Sequence, residues 1–323
     1  MTHTILVTGA AGYIGSIAIE FLLDKGYNIL ALDDLSTGRQ DALFSNVIFL
    51  NTKVGNTNLL QKIFQENKID LVLHIAGAAL VEESIREPLK YFDINFCQAQ
   101  NLLDLMIRFD IKKIVFSSTC AVYGIPKEHD IPIKEETLTK AINPYGESKL
   151  TFEKTLQWYK KKYGLDYIAL RYFNVAGASS KRGEHHNPET HLIPLTIKAA
   201  KNNTTLSVYG NDYPTKDGTA IRDYIHVIDL TYAHIKAIEV LINNKKHENI
   251  YNVGYGHGYS VFEIVNAAKE VLNKNIQYNI CERRPGDPPV LIADSNKIQR
   301  DLNWYPKYDN IHEIINSASK FIN

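Results

Sequence analysis

The chain has 323 residues, 45% of them hydrophobic and 22% charged, ordinary globular proportions that exclude a wholly disordered or fibrous protein. At roughly 150 residues per domain, that length accommodates about two domains. Lysine and arginine number 36, as do aspartate and glutamate, so the net charge is zero. No global attraction to nucleic acid or an anionic membrane is expected, and a basic site must be a local pocket.

The N-terminal MTHTILVTGAAGYIG has no basic region followed by an apolar core and a small-residue cleavage site, and is not a secretory signal. The longest apolar stretch, 71–81, contains His74 and ends at Glu82, far short of the roughly 20 residues that span a bilayer. No membrane segment is expected. Cys97, Cys120 and Cys281 are scattered and form no CxxC pair, which argues against a disulfide framework or zinc–cysteine site and fits the cytoplasm.

In chain order, a nearly all-apolar run at 4–7 predicts the first strand, and an amphipathic stretch at 13–25 the first helix. Between them lies Gly9-Ala-Ala-Gly12-Tyr-Ile-Gly15. Glycines there permit a tight turn and bring backbone N–H groups to a pyrophosphate at the positive helix N-terminus. The second predicted strand, 28–32, ends at Asp33, 18 residues beyond Gly15, near the roughly 20 expected for an acceptor of a ribose 2′-hydroxyl. Asp34 adds a second carboxylate, and the pair would repel a 2′-phosphate, which favours NAD over NADP.

Further strands are predicted at 46–50, 71–74, 113–117 and 166–171, and helices at 59–66, 88–109 and 145–163. Strands alternating with helices define a Rossmann-type doubly wound parallel α/β sheet. After Gly177 the rhythm breaks into polar loops at 179–189 and 211–219, with helical runs at 193–201, 229–243, 261–273 and 311–321. The expected division is a dinucleotide-binding domain at 1–176 and a smaller C-terminal substrate-binding α/β lobe at 177–323, some of whose segments return to the first domain.

The predicted helix at 145–163 opens with Tyr145-Gly-Glu-Ser-Lys149. Residues i and i+4 share a helix face, so the Lys149 ammonium can share a pocket with the Tyr145 phenol. A phenol of pKa about 10 must be shifted by roughly 3 units, about 4 kcal/mol, to act as a base near neutrality, and nearby cations can supply that. Thr119 ends the strand that begins at 113, where ligands of open α/β sheets bind, and can hydrogen-bond a reacting hydroxyl. A metal role for His185, His186 and His191 is not expected.

The combination Gly9xxGly12xxGly15, Thr119, Tyr145xxxLys149 and Arg171-Tyr-Phe-Asn174 resembles the extended short-chain dehydrogenase/reductase family along essentially the whole chain. The later segments Asn211-Asp-Tyr-Pro-Thr-Lys-Asp-Gly-Thr, Ile221-Arg-Asp-Tyr-Ile-His-Val227 and Arg283-Arg-Pro-Gly-Asp287 resemble the branch of that family that epimerises UDP-hexoses at C4. The resemblance implies Tyr145 as general base and acid, Lys149 as its electrostatic partner and Thr119 as the assisting hydroxyl. It implies NAD bound by Gly9, Gly12, Tyr13, Ile14, Gly15, Asp33, Asp34, Ala76, Asn95, Tyr145, Lys149 and Phe173. For the UDP-sugar it implies Thr119, Asn174, His191, Leu192, Tyr209, Arg222, Arg284, Asp287 and Leu291. It further implies a homodimer, and a reaction in which C4 is oxidised to a keto sugar and then reduced from the opposite face.

Some positions depart from the pattern of that branch. Thr52-Lys53-Val54 puts a lysine where an aspartate often meets the adenine amine, and Ala79 replaces a frequent lysine. Leu291 stands where a tyrosine restricts related enzymes to UDP-glucose and UDP-galactose, so N-acetylated UDP-sugars are expected substrates as well. Related dehydratases carry Asp-Glu after the catalytic threonine; this chain has Cys120-Ala121, which disfavours elimination. The alternatives left open are a nucleotide-sugar dehydratase or reductase of the same superfamily and a non-catalytic NAD-sensing protein.

Overall fold

The computed structural model describes residues 2–284 and 286–322. The first half is built as the alternating pattern predicts: β1 (Thr4–Thr8), α1 (Tyr13–Asp24), β2 (Asn28–Asp33), β3 (Ile48–Asn51), α2 (Thr57–Glu66) and β4 (Leu71–His74). The stretch expected to be one helix over 88–109 is instead broken. It follows a short α3 (Val81–Arg86) and consists of α4 (Pro88–Phe92), one π-helical turn at Asp93–Cys97, and α5 (Gln98–Arg108). The wide turn buries the Asn95 side chain, and such turns frequently mark functional sites. β5 (Lys113–Thr119), α6 (Pro144–Tyr163) and β6 (Asp166–Tyr172) follow. Asn143 caps α6 by accepting from Gly146 N at 2.8 Å, and Pro144 occupies the first turn, where its missing N–H costs nothing.

The second half contributes β7 (Asn174–Ala176), α7 (Leu192–Asn202), β8 (Leu206–Tyr209), β9 (Ile221–Arg222), β10 (Tyr224–His226), α8 (Val227–Ile242) and β11 (Ile250–Val253). It ends with β12 (Tyr259–Ser260), α9 (Val261–Leu272), β13 (Tyr278–Cys281), β14 (Val290–Leu291), α10 (Asn296–Leu302) and α11 (Ile311–Ser319). β11 has only four residues, too few for a sequence period to reveal it, yet it pairs parallel with β6 and completes the central sheet.

That sheet has seven strands in the order β11-β6-β5-β4-β1-β2-β3, and its strand pairs are parallel. The order reverses between β1 and β4, the switch point at which a crevice opens beyond the strand C-termini. One face is covered by α1 and α8, with Ile5, Val7, Ile19 and Ile238 fully buried between them and the sheet. The other is covered by α2, α5 and α6 through Leu60, Leu102, Phe116 and Phe152. A separate core of Ile193, Ile197, Val208, Ile264 and Ile314 joins α7, α9 and α11 around β8. Among the described residues no helix is long and apolar enough to cross a membrane.

Candidate active site

At the switch point, Gly9 has φ +70°, and a Cβ there would lie 2.7 Å from the backbone nitrogen of Ala76 in the loop after β4. A Cβ on Gly15 would lie 2.0 Å from Gly9 O, so this glycine lets α1 pack against the turn. Gly12 caps α1 without a side-chain hydrogen bond, leaving the first-turn amides, including those of Tyr13 and Ile14, for an anionic ligand. Asp33 is buried beside this turn and accepts from Ala11 N at 3.0 Å and Leu35 N at 2.8 Å. Burial raises its pKa and those two bonds oppose the rise. Asp34 points elsewhere, accepting from Ser36 N at 3.0 Å and Ser36 Oγ at 2.6 Å in an exposed turn. Glycines, orphan amides and buried carboxylate together fit a dinucleotide.

Asn95 reaches this crevice from the π-helical turn. Its Oδ1 accepts from Ala78 N at 2.8 Å, and its Nδ2 donates to Ala78 O at 3.0 Å and Ser148 Oγ at 3.1 Å. It therefore clamps the loop after β4 to α6. Lys149 is 4% exposed, donates from Nζ to Ser117 O at 2.9 Å and sits 5.0 Å from the centre of the Phe116 ring. Burial alone pulls its pKa down to about 8.

Tyr145, one turn earlier, packs edge-on against Tyr91 with ring centres 6.4 Å apart. Burial pushes its phenol up to about 12, and a hydrogen bond with Thr119 counteracts this. Thr119, at the end of β5, also accepts from Ala121 N at 3.1 Å. The structure thus gathers Thr119, Tyr145 and Lys149 at one strand end, beside the glycine turn. Cys120, next to Thr119, is buried with its thiol pushed up to about 12 by burial, so it is no acid or base near neutrality.

On the opposite wall, Arg222 Nη2 pairs with Asp287 Oδ1 at 2.5 Å, and the Arg284 guanidinium lies 4.2 Å from the centre of the Tyr209 ring. Asp287, expected among the residues for the UDP-sugar, engages Arg222; Pro285 of its motif lies outside the described residues. Leu291 is paired across the β14–β9 register with Arg222. Its side chain packs in one cluster with Cys120, Leu150 and Phe173, which sets it against the C-terminal end of β5. Asn174 lies opposite Tyr224 in the β7–β10 pair, and its N–H donates to Asp223 O at 3.0 Å.

His191 precedes Leu192 at the start of α7, but its ring turns back to Glu184 and Glu189, 3.0 and 2.8 Å away. Of the three histidines considered together in the sequence, His186 and His191 join that carboxylate group and His185 does not.

Two functional positions escape sequence reasoning. Gly146 abuts the backbone of Ala121. Asp223 is fully buried and accepts from Tyr255 N, Gly256 N and Ala293 N at 2.8, 3.0 and 3.1 Å, tying the segments on either side of Arg222 and Leu291 together. Asp223 lies within a motif noted above; its partners are 32 to 70 residues away in sequence, beyond any local signal.

A Rossmann sheet with a hydroxyl, phenol and ammonium converging at its switch point defines a nucleotide-dependent enzyme acting on a carbinol carbon. The chain belongs to the NAD dependent epimerase/dehydratase family, whose model matches residues 5–254. It is 47% identical to a UDP-glucose 4-epimerase of Lacticaseibacillus casei, over 98% of this chain and 95% of that one. The structure of UDP-glucose 4-epimerase from Brucella ovis in complex with NAD is similar with a TM-score of 0.94 and 39% identity, covering 99% of this chain and 98% of that one. The UDP-Glc/GlcNAc 4-epimerase of Campylobacter jejuni has a TM-score of 0.85 and 36% identity, with 98% of each chain covered.

Proposed function

We propose that the protein is an NAD-dependent epimerase that interconverts UDP-hexoses at C4. The observation that carries this reading is the convergence of Thr119, Tyr145 and Lys149 beside the Gly9–Gly15 turn, with Arg222, Arg284 and Tyr209 on the facing wall. The first-turn amides of α1 would hold the pyrophosphate of NAD and Asp33 a ribose hydroxyl, with Ala76, Asn95 and Phe173 toward the nicotinamide end. Bound NAD supplies a reversible hydride acceptor. Tyr145 takes the proton of the C4 hydroxyl and returns it after the keto sugar has turned over. Thr119 donates to the phenolate, and the Lys149 cation stabilises that charge. Arg222 and Arg284 anchor the diphosphate, so the hexosyl group can rotate while the nucleotide stays bound.

Incubation of the protein with UDP-galactose, without added cofactor, tests this reading. Formation of UDP-glucose is expected. A requirement for stoichiometric reduced cofactor would identify a reductase, and loss of water a dehydratase; either would overturn the proposal. The aliphatic Leu291 beside the reaction centre supports turnover of UDP-GlcNAc and UDP-GalNAc as well, because it leaves room next to the sugar C2.

The working form we infer is a homodimer. Leu89 is 86% exposed, Trp158 67% and Ile85 52% on the adjoining helices α3, α4 and α6, an apolar face that a second copy would cover. Light scattering that reads a single-chain mass for the wild type would reject it. Cys97, Cys120 and Cys281 are free thiols, which suits residence in the cytoplasm.

A further inference from the structure

Between β7 and α7, the loop carries Glu184, His186, Glu189 and His191, whose ligand atoms all lie within 4.8 Å of one another. His186 Nδ1 is 2.7 Å from Glu184 Oε1, and His191 Nδ1 is 3.0 Å from the same oxygen and 2.8 Å from Glu189 Oε1. Glu184 is 6% exposed. These four side chains take no part in the chemistry described above.

We propose that Glu184, His186, Glu189 and His191 form a divalent cation site, with Zn²⁺ the best-fitting ion, that fastens this loop against the cofactor turn. Two imidazole nitrogens and two carboxylate oxygens are a donor set suited to Zn²⁺. Bonds of about 2.0–2.2 Å in a tetrahedron place ligand atoms roughly 3.3–3.6 Å apart. The paired atoms, 2.7–3.0 Å apart, spread by about half an ångström to reach that spacing, and the unpaired ones, within 4.8 Å, close toward it. Binding releases the imidazole protons now shared with the carboxylates; two neutral imidazoles and two carboxylates then leave two negative charges, which one divalent ion neutralises. On the other side of the site, the His186 ring packs edge-on against Tyr13, 6.4 Å away between ring centres, and Tyr13 donates to Gly177 O at 2.6 Å. Tyr13 opens α1 within the glycine turn. The ion would thus join the second-half loop to the cofactor cradle without touching the reacting atoms.

Untagged full-length protein, stripped with a chelator and dialysed, is titrated with ZnCl2 by calorimetry, with MgCl2 as the control for nonspecific carboxylate binding. Uptake of one equivalent of Zn²⁺ is expected, with Mg²⁺ at least about a hundredfold weaker. Co²⁺ in the same site should show the visible absorption of a tetrahedral nitrogen–oxygen complex. His186→Ala changes a partly exposed side chain and Glu189→Gln is isosteric, and each should weaken Zn²⁺ at least about tenfold while circular dichroism stays unchanged. Absence of stoichiometric Zn²⁺ uptake by the wild type, or uptake equal in both variants, would overturn the proposal. Metal binding is read directly, so this outcome is independent of whether UDP-sugars are turned over.

Discussion

Gly146 lies so close to Ala121 that a Cβ at position 146 would stand 2.6 Å from the Ala121 carbonyl oxygen. The contact joins the first turn of α6 to the turn that follows β5, and so sets Tyr145 against Thr119. Gly146→Ala must push the two apart. Turnover of UDP-galactose should fall by about a hundredfold, the cost of displacing a reacting group by roughly 1 Å. Far-ultraviolet circular dichroism should be unchanged, and a variant with wild-type kcat would show that the contact does not position the phenol.

Lys149, to which a catalytic role is proposed, carries a cost in stability. Its pKa in the cofactor-free chain is about 8, against 10.5 for a free lysine. Between those values the unfolded chain holds a proton that the native chain has released, so native stability rises with pH across that window and is lowest below about pH 8. Lys149→Met should therefore stabilise the cofactor-free protein at pH 7 by about 3 kcal/mol and nearly abolish turnover. Chemical denaturation at pH 7 and pH 10 checks both the gain and its fall to under about 1 kcal/mol at the higher pH.

Leu291 packs with Cys120 and Phe173 and is 7% exposed. Leu291→Tyr would place a ring in the space assigned to an N-acetyl group. The ratio of kcat/KM for UDP-GlcNAc to that for UDP-glucose should fall at least about tenfold, the scale of discrimination that pocket shape alone provides. An unchanged ratio would remove Leu291 as the determinant of substrate range.

Lys53 follows β3 in a shallow cleft that also includes Asn56, Asp93 and Gln98, adjoining Thr52, whose N–H donates to Asp33 O at 3.0 Å. A lysine cannot accept from an adenine amine. Lys53→Asp should tighten NAD binding by up to about tenfold, the worth of one added hydrogen bond, as read by fluorescence titration of the chelated and dialysed protein. Unchanged or weaker binding would place adenine elsewhere.

The cofactor half was legible from sequence because its signals are local. The apolar runs that became β1, β2, β4, β5 and β6, the glycines after β1 and the acid at the end of β2 each declare themselves within one strand–turn–helix unit. Tyr145 and Lys149 are likewise one helical turn apart, and the family resemblance extended that reading to the facing wall of the cleft. Folding decided what depends on partners distant in sequence. The π-helical turn exists to bury Asn95 against the loop after β4, β11 is a strand because β6 offers it an edge, and Asp287 faces Arg222 from 65 residues away. The gathering of Glu184, His186, Glu189 and His191 within one loop is local in sequence, yet no helical or strand period predicts it. The course of an irregular loop is set by what it packs against, here Tyr13 and the start of α7.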